Sequence, residues 1–122
     1  MRIQAVNVSF GYKHRLKTAW KNGEIPELKH DFYDGSLLKA DTLTLEHLKP
    51  HSKGGKTTLT NLVLTNYQNN VRRGNRDIRQ YINKEAALKY IEEAKKIKCK
   101  GINGESYARS LINRLKSLGV KL

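Results

Sequence analysis

Cysteine is scarce in this chain, and its scarcity excludes two kinds of stabilising site. Cys99 is the only cysteine among 122 residues. A single cysteine cannot form an intramolecular disulfide, and it cannot supply the cysteine pairs of a structural zinc site. We therefore expect a fold that depends on its apolar core, in a reducing compartment such as the cytoplasm.

Long apolar runs are also missing. No stretch approaches the ~20 apolar residues of a membrane-spanning helix, and residues 1–15 lack the uninterrupted apolar segment of a signal peptide. We therefore expect a soluble, intracellular protein without a membrane partner. The length suits one compact unit, so we expect residues 1–122 to form a single domain.

Acidic residues are few relative to basic ones. The chain has 11 Asp and Glu against 24 Lys and Arg, which gives a formal net charge of +13. Such an excess makes the folded chain repel itself, and folding does not require it, so a polyanionic partner is expected. Charge alone does not distinguish DNA from RNA. Most of the excess lies in residues 71–122.

The first part of the chain predicts a strand and a helix. Apolar and polar residues alternate at residues 6–10, which is typical of a short strand, and apolar residues at helical spacing predict a helix at residues 12–20. The Asn22–Gly23 pair is expected to end this helix. Residues 24–39 carry little functional information; their aromatic residues, Phe32 and Tyr33, are expected in the core, as is Trp20.

The middle of the chain predicts a hairpin. Residues 41–48, DTLTLEHL, alternate between apolar and polar, and Pro50 ends this strand because proline lacks the backbone donor. In the following loop, Gly54 and Gly55 can take positive φ at little cost. The apolar residues 61–65, NLVLT, then predict a return strand.

Three helices are predicted after the hairpin. Asn66 can cap a helix of about two turns that ends at Gly74. Asn83 can cap a second helix over residues 84–98, and a third covers residues 106–118 and ends at Gly119. The predicted apolar stripe of the second helix is Leu88, Ile91, Ala94 and Ile97, and that of the third is Ala108, Leu111, Ile112, Leu115 and Leu118.

Three residues near the hairpin have the chemistry needed to hydrolyse a phosphodiester. Such a reaction needs a base for water and a cation to stabilise the phosphate. His47 suits the base because its ordinary pKa of about 6.5 leaves much of it neutral. Glu46 and Asn70 offer hard oxygen ligands for Mg²⁺. Adjacent strand residues point to opposite faces, so the chain has to bend if Glu46 and His47 are to meet one phosphate.

The arrangement of these residues resembles a known family. An EH pair at Glu46 is followed by P-x-S-x-GG from Pro50, by NL-x-L from Asn61, and by a late asparagine before basic residues. This pattern is similar to that of HNH endonucleases, and the resemblance covers Glu46 to Arg73. It implies an α+β protein with a ββα-metal core, a hairpin followed by a helix, at about residues 41–76. A basic helical extension would follow at residues 77–122.

The resemblance also implies a role for each motif residue. Glu46 would bind the metal, His47 would be the general base, Asn61 would brace the loop, and Asn70 would complete the metal site. A late asparagine resembles the magnesium-using branch, so Mg²⁺ is expected, with Mn²⁺ as the alternative and without structural zinc. Whether Asn69 or Asn66 joins or replaces Asn70 is left open.

Basic residues around the motif are expected to contact phosphates. A cluster of cations beside a phosphate site favours contacts with the nucleic-acid backbone. The alternative interpretation is that these residues form a solvated helix face. His51 is expected on the loop surface. The predicted phosphate-contacting residues are Lys53, Lys56, Arg72, Arg73, Arg76 and Arg79.

These observations predict a metal-dependent endonuclease that cuts DNA and leaves, by resemblance, a 5′ phosphate and a 3′ hydroxyl. One site cuts one strand, so a double-strand break would need a second event or a second protomer, as in a homodimer. The first alternative is a basic nucleic-acid-binding protein that keeps the HNH fold without catalysis. A second is an RNA-associated structural protein.

Overall fold

Helix α1 is the first element of the described chain. The structure, a computed structural model, describes residues 15–122. The strand predicted at residues 6–10 and the start of the predicted helix lie outside them. Helix α1 covers Arg15–Lys21 and buries Leu16 and Ala19. Within residues 15–122, no helix is long and apolar enough to cross a membrane.

An antiparallel hairpin forms the centre of the fold, as the sequence predicts. Strand β1, Leu43–His47, pairs with strand β2, Leu62–Asn66, so that His47 lies opposite Leu62. Every residue of β2 is buried. The connection contains two short 3₁₀ turns, His51–Lys53 and Leu59–Asn61.

The double glycine in this connection has two different roles. Gly54 has a φ of +90°, in the left-handed region that glycine tolerates. Gly55 does not use this freedom, because its φ is not positive. Its lack of a side chain matters because a Cβ there would lie 1.8 Å from the Lys49 carbonyl oxygen.

Helix α2 covers Tyr67–Arg73, follows β2 directly and packs across both strands of the hairpin. Gly74 ends it, as predicted. Asn66 precedes the helix, but its side chain does not cap it. Instead its Oδ1 accepts hydrogen bonds from the Lys39 backbone and the Thr42 hydroxyl. The predicted cap is wrong because this side chain holds the segment before β1.

Helices dominate the rest of the chain. The elements are α3 (Ile78–Tyr81), α4 (Lys84–Lys95), β3 (Lys98–Cys99), β4 (Ile102–Asn103) and α5 (Gly104–Ser117). The side chain of Asn83 caps α4, as predicted, by accepting from the Ala86 backbone. Helix α5 begins before the predicted residue 106 because Asn103 caps it. Gly119, with a φ of +87°, follows α5 as predicted.

Helix α4 turns a slightly different side to the core than the sequence predicts. Leu88 is 44% exposed, whereas Ala87, Tyr90, Ile91 and Ala94 are buried. Successive helical residues are ~100° apart, so Leu88 is rotated by that angle from the buried Ala87 and faces solvent. Its predicted place in the apolar stripe is therefore wrong.

Two tyrosines from α4 and α5 close the outer edge of β2. The Leu64 N–H donates to the Tyr90 hydroxyl at 3.0 Å, and the Tyr107 hydroxyl donates to the Leu62 carbonyl at 2.8 Å. The two hydroxyl oxygens are 2.8 Å apart. The Leu64 N–H and the Leu62 carbonyl are thus paired without a third strand, and the Leu64 carbonyl accepts from the Phe32 N–H. In its described part the chain is an α+β fold with a hairpin-plus-helix core and C-terminal helices, as predicted.

Candidate active site

The end of β1, the following loop and α2 enclose one open cavity. Its volume is about 510 Å³, and its lining includes Glu46, His47, His51, Asn70 and Asn75. Glu46 and Asn70 are 24 residues apart in sequence, and the turn from β2 into α2 brings them together. Both Glu46 and His47 line the cavity although they are adjacent in β1.

Glu46 is held by three hydrogen-bond donors. Its Oε2 accepts from the Tyr33 hydroxyl at 2.6 Å and lies 3.2 Å from Nη1 of Arg73, and its Oε1 accepts from Nδ2 of Asn70 at 3.0 Å. Burial raises the pKa of the Glu46 carboxyl, and the Tyr33 hydrogen bond and the Arg73 charge offset part of that rise. Donors on both oxygens are the arrangement that an ionised carboxylate requires.

His47 is half-buried and also lines the cavity. Its Nε2 lies 2.9 Å from the Thr57 hydroxyl oxygen, and its ring centroid is 6.0 Å from that of His51. Burial, followed by the charge of His51, lowers the pKa of His47 below its usual value. The imidazole is therefore neutral at neutral pH, which is the state that can accept a proton.

The three asparagines of the motif point in different directions. Asn70 lines the cavity, where its Nδ2 contacts Glu46 and the Leu45 carbonyl. Asn69 is buried and donates to Asp31 and Asp34. Asn66 holds the segment before β1, as described above. Asn69 and Asn66 thus make their hydrogen bonds away from the cavity, whereas Asn70 lines it.

The donor set in the cavity fits a hard, hydrated cation. Glu46 offers a carboxylate oxygen, and a half-turn of the Asn70 amide would present its Oδ1 beside it. Mg²⁺ retains several waters and is often bound by one or two carboxylates together with substrate phosphate. Across residues 15–122, no cluster of three His, Cys, Asp or Glu side chains is placed to hold a metal. A site of this composition would rely on water and phosphate for its remaining ligands.

Asn61 connects the two sides of the loop that carries His51. It is fully buried. Its Oδ1 accepts from the Lys49 N–H at 2.8 Å, and its Nδ2 donates to the carbonyls of Lys49 and Lys56, each at 3.0 Å. All three bonds join the side chain to backbone, so Asn61 fixes the shape of the loop beneath the cavity.

Arg73 is inside the fold, and its predicted contact with phosphate is wrong. The residue is 1% exposed. Its Nη1 donates to the His47 carbonyl at 2.7 Å and its Nη2 to the Leu48 carbonyl at 2.9 Å. Arg73 lies four residues after the buried Asn69, so the two share the inner side of α2. The guanidinium holds the end of β1 against the helix.

The other predicted basic residues are at the surface. Lys53, Lys56, Arg72 and Arg76 are exposed. Arg79 is exposed as well, but it is paired with Asp77 at 2.7 Å. Hydrogen bonds from Arg79 lower the pKa of Asp77 to about 2. The pair has no net charge at neutral pH, so Arg79 adds less to the positive surface than the others.

The sequence interpretation missed two residues that support the site. Tyr33 bonds Glu46, as described above. Asp31 is fully buried and accepts from the Asn66 N–H at 2.6 Å, the Thr65 hydroxyl at 2.7 Å and Asn69. Both lie in residues 24–39, where no sequence pattern provides a functional reason to select them. The only available signal was an acidic residue directly before two aromatic ones.

Comparison with known proteins covers the same part of the chain. The family model HNH endonuclease matches residues 29–76. No curated protein and no solved structure matches the chain. The match begins before Asp31 and Tyr33 and ends at Arg76, just after α2. Residues 29–76 are therefore similar to the HNH endonuclease family, the family that their motif resembles.

Proposed function

We propose that this chain is a metal-dependent endonuclease that hydrolyses DNA phosphodiester bonds, with His47 as the general base. The observation that carries the proposal is that Glu46, His47 and Asn70 line one open cavity. An HNH domain is of nuclease type and acts on nucleic acid. A protein that only bound nucleic acid would need its cations but not this trio, so the alternative without catalysis is not favoured.

His47 is suited to deprotonate water. When Thr57 accepts a hydrogen bond from Nε2–H, the lone pair of the neutral ring is at Nδ1. Burial keeps the ring neutral at neutral pH. The imidazole would then take a proton from a water molecule that attacks the phosphorus opposite the leaving 3′ oxygen.

Glu46 and Asn70 would hold the cation, Mg²⁺ or Mn²⁺. When bound, the cation would supply positive charge beside the phosphate, where negative charge develops during the reaction. Tyr33 and Arg73 would support this role from behind. They occupy the second oxygen of Glu46 and leave Oε1 directed toward Asn70.

The exposed cations would position the nucleic acid. Lys53 is on the loop, Arg72 is on the exposed side of α2, and Arg76 follows the helix. All three lie in the segments that border the cavity. Contacts of this kind fix the backbone of a duplex without reading its sequence. Lys56 would add to them from the other end of the loop.

The test is conversion of supercoiled plasmid to nicked and linear forms, with Mg²⁺ or with EDTA. We expect nicking by the native chain with Mg²⁺, none with EDTA, and a loss of at least ~100-fold in His47→Ala with DNA binding retained. His30→Ala, outside the cavity, is the control and should still nick. A labelled RNA assayed in parallel separates the two nucleic acids.

Two results would contradict the proposal. One is nicking by His47→Ala at the native rate, which would exclude His47 as the base. The other is a native chain that binds DNA but cuts it with neither Mg²⁺ nor Mn²⁺, which would favour the binding protein without catalysis.

A further inference from the structure

Helix α2 carries two large apolar side chains that face solvent. Tyr67 is 61% exposed and Val71 is 56% exposed. They are four residues apart, so they lie one above the other on the same side of the helix. Single exposed apolar residues are common on protein surfaces. A neighbouring pair on a helix of seven residues is less so, and we call it the apolar rim.

The apolar rim is beside the candidate active site. Asn70, which lines the cavity, is between Tyr67 and Val71 in sequence. At ~100° per residue, all three fall within about a third of the helix circumference. At ~1.5 Å of rise per residue, Tyr67 is about 4.5 Å from Asn70 along the axis. The buried side, with Asn69 and Arg73, faces the other way.

A nucleic acid in the cavity would cover the apolar rim. Successive phosphates of one strand are separated by roughly 3.4 Å along a duplex axis. A strand whose phosphate lies beside Asn70 and whose axis follows α2 would bring the next nucleotides over Tyr67 and Val71. The exposed Arg72, next to Val71, and the net charge of +13 favour a polyanion as the occupant. This step rests on the proposed function, which places the phosphate in the cavity.

We propose that the apolar rim binds an unpaired base next to the cleaved phosphate, with the Tyr67 ring stacked on the base and Val71 against its sugar. An aromatic ring stacks on any base but needs an exposed base face. In a fully paired duplex both faces are covered by neighbouring bases. The preferred substrate is therefore DNA that is single-stranded or locally opened at the cut site.

Binding without cleavage tests this preference. The full-length His47→Ala chain, in EDTA, is titrated with three labelled DNAs of one sequence: a single strand, a duplex with a central unpaired bubble, and a paired duplex. Tyr67→Ala and Tyr67→Phe are compared in this background. Leu88→Ala, which removes an exposed apolar side chain from α4, is the matched control.

We expect Tyr67→Ala to weaken binding to the single strand and the bubble about tenfold and to leave the paired duplex unchanged. Tyr67→Phe and Leu88→Ala should bind like the parent. A 2-aminopurine in the bubble reports stacking directly, because stacking quenches its fluorescence. The quenching should appear on binding and should be lost in Tyr67→Ala.

Three results would overturn the proposal. The first is an equal loss of binding to all three DNAs in Tyr67→Ala, which would indicate contact with sugars alone. The second is no loss of binding to any of them. The third is a loss of binding in Tyr67→Phe as large as in Tyr67→Ala, which would indicate a contact through the hydroxyl. None of these readings depends on catalysis. An inactive native chain would contradict the nuclease proposal while leaving this test decisive.

Discussion

Arg73 and Glu46 form an ion pair inside the fold, with side chains that are 1% and 8% exposed. Removing two charges from water is costly, and only good geometry with further hydrogen bonds offsets that cost. Here Arg73 also donates to two β1-side carbonyls, and Glu46 also accepts from Tyr33 and Asn70. The pair therefore fixes the end of β1 against α2, and each partner depends on the other.

Replacing Arg73 should be strongly destabilising. Arg73→Met leaves the Glu46 carboxylate buried without its partner, so we expect the free energy of unfolding to fall by about 3–5 kcal/mol. Urea denaturation followed by circular dichroism measures it. Arg73→Lys keeps the charge but loses the planar guanidinium with its paired donors. Its free energy of unfolding should lie between those of Arg73→Met and the native chain.

Arg72→Met is the matched control for this experiment. Arg72 is the neighbouring residue and is exposed, so its replacement should change the free energy of unfolding by no more than about 0.5 kcal/mol. Equal losses in Arg72→Met and Arg73→Met would show that the ion pair contributes nothing to stability.

At this scale the sequence is informative where a motif fixes the residue. Glu46, His47 and Asn70 could be selected because their chemistry and order match one reaction, and the structure brings them to one cavity. Arg73 could not be placed correctly, because an arginine on a short helix fits a surface and an interior position equally well. Tyr33 acts through a contact across an irregular segment, for which periodicity gives no signal.

The loop between the strands depends on close backbone approach at Gly55. A Cβ there would also lie 2.9 Å from the Pro50 carbonyl oxygen. We expect Gly55→Ala to displace the loop, to lower the free energy of unfolding by about 2 kcal/mol, and to reduce nicking. Thermal unfolding and the plasmid assay measure the two effects.

Gly54→Asn is the comparison for Gly55→Ala. Gly54 is exposed and has a left-handed backbone, which asparagine adopts more readily than other residues with side chains. It should be tolerated with a small loss. If Gly55→Ala were tolerated equally well, close approach would not be what restricts this position.

The tyrosines on the edge of β2 predict a response to alkali. Burial raises the pKa of Tyr90 and Tyr107 above the ordinary value of about 10. The fold thus favours the neutral hydroxyls, and their contribution to stability is complete below about pH 10 and is lost as pH rises above it. The urea midpoint should fall more steeply above about pH 10 in the native chain than in a variant with Tyr90→Phe and Tyr107→Phe.

Tyr67→Phe controls for the loss of a hydroxyl as such. It removes an exposed tyrosine hydroxyl and should keep the native dependence on pH. If the urea midpoint fell equally steeply with pH in the native chain and in the double variant, the two buried hydroxyls would not be the cause of the loss of stability in alkali.

Most elements could be predicted because their signals are local. The alternation that ends at Pro50 gives β1, and Asn83 and Gly119 mark ends of helices. The closure of the β2 edge could not be predicted, because Tyr90 and Tyr107 lie outside the apolar stripes predicted for two helices that are distant in sequence. Their hydroxyls matter only once the packing of these helices on the hairpin is known.

For the molecule as a whole, the excess of positive charge predicts that salt weakens DNA binding. The logarithm of the binding constant falls linearly with the logarithm of the salt concentration. Each phosphate that the protein neutralises makes the slope of this fall steeper by about 0.9. Arg72→Gln should therefore lower that slope by about one for any DNA sequence. Arg109→Gln, an exposed cation on α5, should leave it unchanged. Equal slopes for Arg72→Gln and the native chain would remove Arg72 from the interface.

The tyrosine contacts on β2 determine which fragments of this protein can fold without exposing the strand. The HNH match ends at Arg76, whereas the hydroxyls that close the edge of β2 come from α4 and α5, beyond it. A fragment cut to residues 29–76 would keep the motif but uncover an apolar strand whose Leu64 N–H and Leu62 carbonyl have lost these partners. Such edges pair with one another. A truncated protein would be prone to aggregate, so expression of the segment that matches the HNH family requires the helices that follow it.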